Sequence, residues 1–85
     1  MKQLSAAALL GQNVQRLRQA QGLDAALFAK GLGWSEASLR ALEEGRLDVD
    51  LDTIDLLSAA LNIAPHDLFE TAENAAGRLA LKRSG

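Results

Sequence analysis

The sequence predicts an all-α domain of five short helices, and three observations carry that prediction. Apolar residues recur at spacings of three and four in two stretches, Leu10, Val14 and Leu17 and again Leu51, Ile54, Leu57 and Leu61, the period of a helix that buries one face. Ser5, Asp24, Ser35 and Asp50 each stand just before a helix-forming run, where a short side-chain oxygen accepts from the unpaired N–H groups of a first turn. Between these stretches, Gly22 to Gly45 (GLDAALFAKGLGWSEASLRALEEG) has the glycines and apolar positions of two short helices joined by a tight turn.

The first helix is expected from Ser5, its cap, to about Gln21, with Leu4 and Leu9 spaced as a hydrophobic staple. Gln12, Gln15, Arg16 and Gln19 take its outer face, and Gly22 ends it. Asp24 caps a second helix that buries Phe28 and Ala29, and Gly31, Leu32, Gly33 and Trp34 make the break. Gly33 supplies the positive φ that such a turn needs. Ser35 caps a third helix with Leu39 and Leu42 inward, and Gly45 stops it. The alternation from Arg46 to Asp52 mimics a strand, but a lone strand among helices has no hydrogen-bond partner, so a loop is expected. Asp50 then caps a fourth helix, with Asp52 in its first turn facing the positive end of the helix dipole. Asn62 is placed for a left-handed cap, Pro65 opens a fifth helix at its first position, and Leu68 and Phe69 close the core.

Eighty-five residues with 48% apolar content build one hydrophobic core, not two. The expected division is a folded domain over 1–70 and a tail or frayed helix over 71–85, which carries Leu79 and Leu81. The absence of cysteine excludes disulfides and thiolate metal sites. The apolar run Ala6 to Leu10 is too short to span a bilayer, so a cytoplasmic chain without membrane contact is expected. One histidine, His66, and no tyrosine leave little for catalysis, and no enzyme, metal or cofactor is expected. Net charge is −2, unevenly spread: residues 1–21 carry +3, residues 22–70 carry −7 and residues 71–85 carry +2.

Gly22-Leu23, Phe28-Ala29, Leu32-Gly33, Ser35, Leu39, Leu42-Glu43 and Gly45 fall where one family places its framework residues. On these residues the chain resembles the phage lambda repressor-like (Cro/CI-type, XRE-like) helix-turn-helix domains. Leu17-Arg18 upstream, and Leu51, Ile54, Leu57, Leu61 and Leu68-Phe69 downstream, extend the resemblance to roughly three-quarters of the chain. It implies a compact five-helix lambda-repressor-like DNA-binding domain whose third helix, about Ser35 to Glu44, enters the major groove. It also implies a structural ion pair between Arg18 and Glu43, and an apolar core role for Trp34.

Carried over residue by residue, the base-facing positions are Glu36, Ala37, Arg40 and Ala41. Arg40 can grip guanine O6 and N7, Glu36 can accept from a cytosine amino group, and the two alanine methyls can pack on thymine. Candidate phosphate contacts are Gln12, Asn13, Lys30 and Arg46, with Arg78, Lys82 and Arg83 of the tail. The family's glutamine at the start of the second helix is Ala25 here, its frequent polar or basic residues are Asp24 and Glu44, and its proline after the third helix is Val49.

Two functions follow from different features. The resemblance implies a sequence-specific DNA-binding transcriptional regulator, a homodimer formed near the fourth and fifth helices. The acidic block over 22–70, with Leu27, Leu47 and Leu56 expected at the surface, instead suits a protein-interaction module on the same scaffold with weak or lost DNA binding, its partner held by those leucines or by the tail.

Overall fold

A computed structural model describes residues 5–70. Four α-helices, α1 (Ala6–Ala20), α2 (Ala25–Leu32), α3 (Glu36–Glu43) and α4 (Leu51–Leu61), are followed by a 3₁₀ helix, Pro65–Phe69. The sequence places the α-helices because both ends of each are marked locally. Ser5 Oγ accepts from Ala8 N–H at 3.1 Å, Asp24 Oδ2 from Leu27 N–H at 3.2 Å, Ser35 Oγ from Ser38 N–H at 3.1 Å and Asp50 Oδ1 from Thr53 N–H at 2.9 Å. At the turn between α2 and α3, Gly33 adopts φ 77°, its N–H donates to Lys30 O and that of Trp34 to Ala29 O. This is the paired C-terminal closure that a left-handed residue permits. Asn62, at φ 57°, closes α4 in the same way.

Leu10 and Val14 of α1, Phe28, Ala29 and Leu32 of α2, Leu39 and Leu42 of α3, Leu57 and Leu61 of α4, and Leu68 form one core, with Trp34 packed against it. Gly11 sets the closest approach: a Cβ there would overlap the Leu42 carbonyl oxygen and stand 2.8 Å from that of Glu43. The end of α3 therefore lies on the backbone of α1. Two amides of α1 complete the frame. Asn13 Nδ2 donates to Leu68 O at 2.7 Å and Glu70 O at 2.9 Å, and Gln21 Nε2 donates to Leu61 O at 2.7 Å.

Several expectations are corrected. The fifth helix is a short 3₁₀ turn: Asp67 N–H donates to Ala64 O, Ala64 N–H to Asp67 Oδ2, and the amide of Asn13 takes the carbonyls of Leu68 and Glu70. The amide of Asn13 thus ties the carbonyls at the end of the 3₁₀ turn to α1. Leu51 is 78% exposed. At 100° per residue it lies about 70° round α4 from the middle of the stripe formed by Ile54, Leu57, Ser58 and Leu61. Phe69 is exposed while Leu68 closes the core, and Leu47 packs against the core with Val49 instead of facing solvent. Leu27 and Leu56 are exposed as expected. Leu4 of the staple, and the tail over 71–85 with its leucines and cations, lie outside the described residues.

Candidate nucleic-acid interface

Leu39 and Leu42 bury one side of α3, which turns Glu36, Ala37 and Arg40 outward and leaves Ala41 half-buried. Three of the four residues expected at base edges, Glu36, Ala37 and Arg40, thus face away from the core, with Ala41 at its margin. What orients the helix is the Arg18–Glu43 couple. Arg18 Nε donates to Glu43 Oε2 at 2.7 Å and Nη2 to Oε1 at 3.1 Å, a two-pronged contact between α1 and the last turn of α3. The third prong, Nη1, donates to Leu23 O at 2.9 Å, so one guanidinium ties α1 to both ends of the helix pair. The Glu43 hydrogen bond raises the Arg18 pKa against the opposing effect of burial.

Around α3 the charges are compensated. Arg40 Nη2 lies 3.8 Å from Glu36 Oε2, one turn back on the same helix. Arg46, in the loop that follows, places Nη2 at 2.6 Å and Nε at 2.9 Å from Glu44 Oε1. A hollow of about 270 Å³ runs between α1, the start of α2 and α3, bordered by Gln15, Ala25, Glu36, Arg40 and Glu44. Ala25, the small residue at the start of α2, lies on its wall.

Among the expected phosphate contacts, Gln12 and Lys30 are exposed on α1 and α2, and Arg46 is exposed but engaged with Glu44. Asn13 is corrected: it is 5% exposed, and both hydrogens of its amide go to the carbonyls after α4. It has no donor left for a phosphate. Gln15, rather than Asn13, borders the hollow beside α3. Its spacing of three from Arg18, which reaches the same helix, was the available signal.

The sequence profile of the helix-turn-helix family matches residues 14–68, from the middle of α1 to the 3₁₀ helix. The chain belongs to this family of DNA-binding transcription regulators. Among solved structures, it is similar to the restriction-modification controller protein C.AhdI of Aeromonas hydrophila, with 33% identity over 74% of this chain and 96% of that one, and a TM-score of 0.69. It also resembles the hypothetical transcription factor NHTF of Neisseria, with 26% identity, 91% and 85% of the two chains covered and a TM-score of 0.77. The clp gene regulator ClgR of Corynebacterium glutamicum is 25% identical, with 93% and 99% coverage and a TM-score of 0.75. No curated protein matches the sequence.

Proposed function

We propose that this chain is a cytoplasmic, homodimeric, sequence-specific transcriptional regulator that lays α3 in the major groove of a two-fold-related site. The observation that carries this reading is the clamped helix: Arg18 and Glu43 fix its last turn while Glu36, Ala37 and Arg40 face outward, with half-buried Ala41 beside them. Arg40 reads guanine and Glu36 a cytosine amino group, with the alanine methyls against thymine. Gln12, Lys30 and Arg46 position the backbone. In this role the chain carries out no catalysis and takes no cofactor.

The test is a salt series of binding to random and genomic duplexes, with Arg40→Ala and the double change Lys30→Ala/Arg46→Ala. Binding whose salt slope corresponds to a few phosphates, with discrimination between sequences lost in Arg40→Ala, supports the reading. A folded chain that binds no duplex at low salt overturns it.

A second reading has its own observation. Leu27 is 70% exposed on a largely apolar hollow of about 390 Å³ that Leu23, Phe28, Gly31 and Ala60 line, with Asp24 at its edge. If DNA binding fails, a protein partner on this surface is the alternative, and Leu27→Glu should abolish that partnership without unfolding the chain.

A further inference from the structure

We infer that Glu36 and Glu44 are built-in competitors for the two arginines of the interface, so that DNA of the wrong sequence is held weakly. Full engagement then requires a base amino group to take over the Glu36 carboxylate. This deepens the DNA-binding reading and rests on it.

Each arginine beside α3 comes with its own acid. Glu36 and Arg40 are 3.8 Å apart with side chains 52% and 65% exposed, and Glu44 and Arg46 are 2.6 Å apart and as open. Such exposed couples are weak and exchange easily. Their consequence for DNA is electrostatic. Sequence-independent affinity comes from cations that displace counterions at phosphates, and a couple of zero net charge displaces almost none. The chain over 22–70 is acidic overall, so no surplus of positive charge there offsets this.

The two couples differ in what can release them. Arg46 lies in the loop after α3 and is paired with Glu44, and in the proposed complex its target is the DNA backbone. That arrangement lowers affinity for every sequence alike. Glu36 lies in the first turn of α3 with Arg40 one turn on, so both enter the groove together. A carboxylate at a base edge is tolerated only against a donor, and the cytosine amino group is the major-groove donor it pairs with best. Arg40 then turns to guanine. Where no donor is present, the carboxylate keeps its arginine or faces acceptors, and binding stays weak. Discrimination at this position arises from repulsion as much as from attraction.

The experiment uses the full chain, with Glu36→Gln, Glu44→Gln and the double variant, each checked for an unchanged melting curve. Binding is measured to a pool of random duplexes and to the duplex that the unaltered chain selects from that pool. Each variant should bind the random pool about three- to tenfold more tightly, with a salt slope steeper by up to about one. Glu36→Gln, and not Glu44→Gln, should also flatten the preference at one base pair of the selected duplex. Random-pool affinity unchanged within about twofold, or the same base preference in Glu36→Gln, overturns the inference while leaving DNA binding intact. If neither the unaltered chain nor the double variant binds any duplex, DNA binding itself fails, and this inference with it.

Discussion

Breaking the Arg18–Glu43 couple on one side should cost far more than removing it whole. In Glu43→Leu the guanidinium stays in a site where Arg18 is buried, with the Leu23 carbonyl at 2.9 Å as its remaining hydrogen-bond partner and the charge of Asp24 nearby. Stranding a buried charge costs up to about 3–5 kcal/mol, the lower end applying here because Asp24 and the Leu23 carbonyl remain, and this is a large part of the roughly 5–15 kcal/mol that holds a domain together. At about 4–8 °C per kcal/mol for a chain this small, the melting temperature should fall by at least about 12 °C. Arg18→Met should do the same by stranding Glu43. The double variant Arg18→Met/Glu43→Leu removes both charges and keeps the volume. It should stay within about 2 kcal/mol of the unaltered chain, part of the difference being the lost hydrogen bond to Leu23 O, worth about 1 kcal/mol. Because the folded pKa of Arg18 is raised, its contribution is fully present below the ordinary arginine value and is lost only as pH rises through the higher one, so neutral pH leaves it unchanged. Urea unfolding followed by far-UV circular dichroism gives all four free energies. Single variants that cost less than about 1 kcal/mol, or a double variant that costs the sum of the two, would refute the argument.

Two further perturbations probe the frame. Gly11→Ala puts a methyl group into the carbonyls at the end of α3; overpacking of this kind costs about 1–3 kcal/mol, and since backbone must move, the upper end is expected in the same urea titration. The carboxylate of Asp50 has its pKa lowered by the hydroxyl and the N–H of Thr53. Its capping contribution should therefore be present above the usual aspartate range of about 4 and fade as pH falls through it to the lower folded value. Asp50→Asn should flatten that acid limb in melts recorded from neutral to acid pH, and an acid limb identical to that of the unaltered chain would count against the cap.

The features legible in the sequence share one property: the groups that decide them lie within about a turn of each other. Ser5, Asp24, Ser35 and Asp50 cap the helices that follow, and Gly33 and Asn62 close the ones that precede, through bonds spanning three to five residues. The helix pair and the outward positions Glu36, Ala37 and Arg40 follow from those ends together with the burial of Leu39 and Leu42. Tertiary structure decided the rest. Asn13 reads as a surface polar residue until the carbonyls of Leu68 and Glu70, more than fifty residues away, are brought to it. Gly11 is an indifferent helix residue until the end of α3 arrives on its open side, and Leu51 and Phe69 fit the apolar period yet lie beyond the covered part of their elements. The partnering of Arg46 with Glu44 came from a choice among rotamers that sequence spacing does not make. Local hydrogen bonding is written in the order of the residues, whereas burial and the partners of long side chains depend on which distant segment fills the space beside them.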